Sequence, residues 1–235
     1  MASRPGAAGG REDASALPYT RGIDVLLVCT ANQCRSPMAE GLLRLLLDRS
    51  GIGATVGSAG LLPGGAPARP EAVLAMARRG VDISGHLSST VDADLVRATP
   101  LVLGMARHHV RELCIGCAAP LDRTYTLKEL VRRGELGGGR RPGEPVATWL
   151  GRLGAGRRPA DLLGDDPGDD VPDPVGRPRA AYEAVADELD DQLRRLVPLV
   201  AGTPPAPTYA EPAGDRRPDR DPAATGPPAH RSPRR

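Results

Sequence analysis

The chain contains no phenylalanine and only 2 % aromatic residues, so any core must be filled by Leu, Val, Ala and Met. Its single lysine is Lys128, and the rest of its positive charge is arginine. Net charge is only +2. No dense Lys/Arg run with aromatics between the charges appears, which argues against a nucleic-acid surface. No stretch approaches the roughly 20 apolar residues that a membrane span needs, and the N-terminus lacks the apolar segment of a secretory signal. Four cysteines, none spaced as a secreted disulfide framework, fit a reducing cytoplasm where thiols do chemistry.

What the chain does have, within 235 residues, is enough length for one ordinary core plus extra segments. Its organising stretch runs from Val25 to Glu40. Val25-Leu26-Leu27-Val28 reads as a buried strand, and Arg35-Ser36-Pro37 opens an amphipathic helix, with Pro pre-organised for the first turn. Cys29 then stands where the first-turn N–H groups converge, which is a ready anion site. The same field favours a thiolate and makes Cys29 a candidate nucleophile.

Residues 1–21 read as a flexible arm, 22–201 as one catalytic domain, and 202–235 as a disordered Pro/Arg-rich tail. Within the domain, Met38, Leu42, Leu43, Leu46 and Leu47 give the helix over 36–49 an apolar stripe. Ala54-Thr55-Val56 reads as a short strand leading into Gly57-Ser58-Ala59-Gly60. Pro70 to Arg79 reads as a helix stopped by Gly80. Leu101 to Met105 reads as a third strand and Leu113 to Cys117 as a fourth. Thr126 to Arg133 carries a capping-box pattern, Thr126 with Glu129. Residues 134–169 shift to Gly, Pro, Arg and Asp around one helical patch, Val146 to Leu153, and read as an insertion or mobile flap. A last helix spans about 178–200. Strands alternating with helices predict an α/β fold, a doubly wound four-stranded parallel sheet in the flavodoxin-like order 2-1-3-4. Ligands of such sheets bind at the carboxyl ends of the strands, where the loop after the first strand lies.

The pattern Cys-x5-Arg suits one task. Residues 30–35 (Thr30, Ala31, Asn32, Gln33, Cys34 and Arg35) can curl into a cradle of N–H donors, while Arg35 spans the rim. A guanidinium matches two phosphate oxygens bidentately. Ser36 can donate a hydrogen bond to the Cys29 thiolate, and Asn32 suits a left-handed kink. An oxyanion leaving group needs a proton, for which Asp173-Pro174 is a candidate donor, with Asp165, Asp166, Asp169 and Asp170 as rivals.

Cys-Thr-Ala-Asn-Gln-Cys-Arg-Ser-Pro-Met-Ala-Glu at 29–40, Gly-Ser-Ala-Gly at 57–60, Gly85-His86 and the late Asp173-Pro174 together resemble the low-molecular-weight protein tyrosine phosphatase family. The resemblance covers about residues 23–200, except for both ends and much of 134–169. It implies that Cys29 is the nucleophile, that residues 30–36 bind phosphate, that Arg35 stabilises the transition state and that Asp173 is the general acid. It also implies that Ser58 and His86 brace Asn32. No cofactor is implied, and the substrate would be a phosphorylated protein side chain, phosphotyrosine first.

Several positions depart from that pattern. Ala31 replaces the usual glycine, Val175-Gly176 replaces the aromatic expected after Asp-Pro, and Leu61-Leu62 line the rim. Gln33 replaces an apolar residue, as in related phosphoarginine phosphatases. Phosphoarginine is therefore the alternative substrate. Arsenate reductase chemistry on the same fold and a non-catalytic anion-binding module are further alternatives. Cys34 is a candidate redox partner for Cys29. On a strand, Cys114 and Cys117 would point to opposite faces, which disfavours a thiol pair or a zinc site with His109. The Pro-rich tail is a candidate docking segment through polyproline geometry.

Overall fold

A computed structural model of the chain describes residues 24–202. The predicted arm (1–21) and the tail from 203 onward lie outside the described residues, as does the tail docking reading. The described residues form a four-stranded parallel sheet in the order β2-β1-β3-β4, flanked by helices. The strands are β1 (Val25–Cys29), β2 (Val56–Gly60), β3 (Leu101–Gly104) and β4 (Thr124–Thr126). The helices are α1 (Arg35–Arg49), α2 (Pro70–Ala77), α3 (Ala93–Ala98), α4 (Arg107–Gly116), α5 (Leu127–Gly137), α6 (Val146–Leu153) and α7 (Arg179–Ala201).

All five residues of β1 are buried because both faces of the sheet are covered. Side chains alternate along a strand, so Val25, Leu27 and Cys29 enter one core while Leu26 and Val28 enter the other. The first core takes Met38, Leu42, Leu43, Leu46 and Leu47 from α1, and Leu189, Leu193 and Leu196 from α7. Each such buried side chain contributes about 1.5–3 kcal/mol. The second core is smaller and takes Val96 from α3 and Leu113 from α4.

Three sequence expectations are corrected. Leu113 to Cys117 is not a strand: Leu113 lies in α4, and Val110 and Leu113 are its buried face, at helical spacing. Cys114 and Cys117 are thus one helical turn apart rather than on opposite faces, although no cluster of metal-ligating side chains forms among the described residues. The fourth strand is instead Thr124–Thr126, too short to display a period of two. The strand expected at 54–56 starts at Val56 and contains the Gly-Ser-Ala-Gly motif, which puts Ser58 beside Leu27.

The stretch 134–169, expected as an insertion or mobile flap, packs into the core through α6. Trp149 and Leu150 are fully buried, and the Tyr125 hydroxyl donates to the Leu150 carbonyl at 2.8 Å. Arg157 stacks over the Tyr125 ring at 3.8 Å and pairs with Glu129 at 2.7 Å. That pairing explains why the expected capping box is only half built. Thr126 accepts from the Glu129 N–H at 3.0 Å, but the Glu129 carboxylate goes to Arg157 and Arg133. The helical patch at 146–153 is α6, as the composition suggested.

Candidate active site

Parallel register brings the carboxyl ends of β1 and β2 together, with Cys29 opposite Gly60. Gly60 must be glycine here. A Cβ on it would meet the Asn32 nitrogen at 2.8 Å and the Ala31 carbonyl carbon at 2.9 Å, both backbone atoms that cannot yield. The loop 30–34 therefore folds directly over β2. Asn32 takes the left-handed conformation there, with φ +51.

Asn32 is fully buried, and its partners hold the loop open. Its Nδ2 donates to Ser36 Oγ at 2.9 Å and to Ser58 Oγ at 2.8 Å. Its Oδ1 accepts from the Ser89 N–H at 2.9 Å, and its carbonyl accepts from His86 Nε2 at 2.8 Å. Ser58 passes its own proton on to Glu40. Because Ser36 Oγ accepts from Asn32, its proton is free to point at Cys29 Sγ, 3.1 Å away. Ser89 carried no motif signal, and Glu40 closed the 29–40 motif without an assigned role; both reach the loop only through the fold.

Arg35 is 4 % exposed at the first turn of α1 and lies across the cavity. It donates to the Asp173 carboxylate at 2.7 Å, to the Val171 carbonyl at 3.3 Å and to Thr30 Oγ1 at 3.3 Å. Asp173 reaches it because Val171 N–H pairs with the Met105 carbonyl at the end of β3 (2.8 Å), and because the preceding acidic run is clamped. Asp169 accepts from Arg107 at 2.7 Å and from Arg132 at 2.6 Å, while Asp170 accepts the Arg107 N–H at 2.7 Å. Asp165, Asp166, Asp169 and Asp170 are absent from the catalytic cavity, which Asp173 alone of these carboxylates lines.

His109 was weighed in the sequence only as a metal ligand, yet it supports this site. It is fully buried, and its Nε2 lies 3.0 Å from Thr30 Oγ1. Burial, then the neighbouring His108 and Arg35 charges, push it down to about 2, so the ring is neutral. Thr30 Oγ1 thus accepts from Arg35 and shares a hydrogen bond with His109 Nε2. Gly104 makes room for this, since a Cβ there would stand 3.1 Å from His109 Cβ. The contact spans 79 residues of sequence, and no local pattern announces it.

Cys34 is a buried thiol whose Sγ contacts Met38 Sδ at 3.7 Å. Burial, and then the neighbouring Cys29, push it up to about 12. At neutral pH that is the opposite of the thiolate a resolving cysteine needs.

The cavity above the loop measures about 240 Å³ and is lined by Cys29, Gln33, Leu62, Arg69, Asp173 and Val175 among others, with no aromatic residue. A larger hollow of about 930 Å³ lies near the C-terminal ends of α1 and α7 and holds no nucleophile. Among the described residues no helix is long and apolar enough to cross a membrane.

A buried thiol, a loop kinked at the left-handed Asn32 and a guanidinium across it form a site for covalent phosphoryl transfer. Comparison with known proteins agrees. Residues 24–135 match the model of the family described as low molecular weight phosphotyrosine protein phosphatase. A protein-arginine-phosphatase of Bacillus subtilis is 31 % identical over 176 residues, which cover 74 % of this chain and 94 % of the relative. A probable low molecular weight protein-tyrosine-phosphatase of Ralstonia solanacearum is 43 % identical over 90 residues, covering 38 % of this chain and 59 % of the relative. The solved low molecular weight protein tyrosine phosphatase of T. tengcongensis is 31 % identical and covers 75 % of this chain and 98 % of its own, with a TM-score of 0.57. The chain is a phosphatase, and it belongs to the low molecular weight phosphotyrosine protein phosphatase family.

Proposed function

We propose that the chain hydrolyses phosphotyrosine on proteins in two steps, with Cys29 as nucleophile, Arg35 as the phosphate clamp and Asp173 as acid and then base. The observation that carries this reading is the Ser36 hydroxyl aimed at Cys29 Sγ from 3.1 Å, beneath a cavity that Arg35 and Asp173 close. The Cys29 thiolate attacks phosphorus, and the leaving phenolate oxygen takes its proton from Asp173. Water, deprotonated by Asp173, then breaks the P–S bond and restores the thiolate. Asp173 and an incoming phosphate compete for the same Arg35 NH2, so binding releases Asp173 for the leaving group. Residues 30–36 hold the phosphate, while Ser58 and His86 keep Asn32 in its left-handed state. The reducing cytoplasm, where Cys29 stays a free thiol, is the compartment this chemistry needs.

Phosphoarginine is a second reading, and a specific observation favours it. The half-buried polar Gln33 and the exposed Val175 and Leu62 line the cavity where a phenyl ring would seek aromatic faces. The arginine phosphatase of Bacillus subtilis also aligns over nearly its whole length. One set of assays tests both. Purified enzyme is offered phosphotyrosine and phosphoarginine peptides, with Cys29→Ser as the inactive control that still binds inorganic phosphate. Asp173→Ala should slow esters of poor leaving groups at least about 100-fold and good ones far less. Equal slowing would remove Asp173 from the role of acid, and turnover surviving in Cys29→Ser would end the covalent reading.

A further inference from the structure

Arg69 is the cavity-lining charge that the two-step reaction leaves without a task. Its N–H donates to the Gln33 carbonyl at 2.8 Å, and Pro70 follows it as the first residue of α2. A residue before proline is confined to extended backbone, and Arg69 sits at φ −62, ψ 136. The residue is thereby pinned beside the phosphate loop while its side chain stays exposed. Its charge is felt inside the site, where it offsets part of the upward push on the Cys34 thiol and the Tyr182 hydroxyl.

The other charges near the cavity are already engaged. Arg35 and Asp173 pair with each other at 2.7 Å. Among the described residues, Arg69 forms no ion pair, either with Asp173 or with Glu71 in the first turn of α2. The mouth thus offers two exposed apolar side chains, Leu62 at 49 % and Val175 at 46 %, and one uncompensated cation. The apolar pair suits the stem of the phosphorylated residue. The cation lies outside the loop that takes the phosphate, so it faces whatever flanks that residue in the substrate chain.

We infer that Arg69 is a specificity-determining residue that selects protein segments carrying an acidic side chain next to the phosphorylated residue. This rests on the phosphatase reading above. A guanidinium takes a carboxylate bidentately, and in an exposed setting such a pair changes kcat/KM about two- to fivefold. Salt at about 0.5 M should compress the difference, because screening then acts within a few ångströms.

The test uses the full chain and matched phosphotyrosine peptides with Asp, Ala or Lys on both sides of the phosphorylated residue. Wild-type kcat/KM should fall in the order Asp, Ala, Lys, and the order should flatten in Arg69→Ala. Arg69→Glu should invert the order, which a merely structural role for Arg69 would not produce. An enzyme that turns over para-nitrophenyl phosphate but ranks the peptides equally overturns the inference alone. So does an Arg69→Glu variant that keeps the wild-type order. A wild-type enzyme inactive on every phosphate ester overturns the phosphatase reading, and the inference with it.

Discussion

At the floor of the pocket, both side-chain polar atoms of Asn32 and its carbonyl are bonded within 2.9 Å, and the Ser36 hydroxyl lies 3.1 Å from Cys29 Sγ, nearer than its other acceptor, the Ala59 carbonyl at 3.4 Å. At the mouth, Leu62, Arg69 and Val175 stand exposed, and none of their side chains makes a hydrogen bond among the described residues; Val175 is tied only through its N–H, which donates to the Asp173 carboxylate at 3.1 Å. The floor is pre-organised: donors are fixed before phosphate arrives, so little reorganisation remains at the transition state. The mouth carries no such network and can change at small cost to the fold. A substitution near the floor should therefore alter the reaction for every substrate. One at the mouth should alter the choice among substrates. Three tests set that division at risk, in descending order of effect.

The largest concerns Asp169, which anchors the segment that brings Asp173 to the floor. It is only 4 % exposed and accepts from both Arg107 and Arg132. Burial alone would raise its pKa, but the two arginines prevail and hold it below the usual carboxylate range. Asp169→Asn should cost about 2 kcal/mol at pH 7, less than a fully buried pair because Arg132 is half exposed. A carboxylate depressed in the folded state contributes stability above its unfolded value of about 3.9, and that stability is lost as pH falls through the folded value. Urea denaturation should therefore show a wide gap between wild type and Asp169→Asn at pH 7 that narrows steadily below about pH 4. A gap independent of pH would mean that shape, rather than charge, holds the segment.

The second tests whether the floor extends to His109. His109→Ala should lower kcat about tenfold for phosphotyrosine and phosphoarginine peptides alike, since Thr30 would lose its hydrogen-bond partner and Arg35 its alignment. Thr30→Val should lose as much, the double variant little more, and Thr30→Ser little at all. Because His109 stays neutral, the pH–rate profile between about pH 5 and 8 should keep its shape. Strict additivity of the two single losses would separate His109 from the relay.

This division also explains what could be read without coordinates. The floor is dense in local sequence: Cys29, Asn32, Arg35 and Ser36 lie within one loop and one helical turn, and each residue type has a narrow chemical use. The doubly wound parallel sheet followed from strands alternating with helices, although its fourth strand was expected at the wrong place. Long-range partners left no such trace. Thr30 and His109 are 79 positions apart, and Tyr125 meets Arg157 only because α6 folds back onto the sheet. Leu113 to Cys117 misled because a short apolar run fits either a strand or one face of a helix. In 134–169, Gly, Pro and Arg hid the packing signal, which was the buried trio Trp149, Leu150 and Leu153. Arg69 was silent for another reason: an arginine before a proline is ordinary until the fold sets it beside the phosphate loop.

The smallest effect is asked of the mouth, and it bears directly on the substrate. Val175 follows Asp173-Pro174, is 46 % exposed, and precedes Gly176 at φ +75, so a larger side chain there meets solvent rather than the core. Val175→Tyr would supply an aromatic face beside the cavity. Such a face is worth about 0.5–1.5 kcal/mol against a second ring, or roughly two- to tenfold in kcat/KM. The gain should appear for phosphotyrosine peptides and leave the inhibition constant of inorganic phosphate unchanged, because the floor is untouched. A phosphoarginine peptide complicates the comparison usefully, since a guanidinium also stacks on an aromatic face. If Val175→Tyr raises kcat/KM for both peptides equally, the mouth reads flat area and the choice between them falls to Gln33. If only the phosphotyrosine peptide gains, the mouth alone discriminates, and the aliphatic Val175 is what keeps this chain tolerant of a non-aromatic substrate.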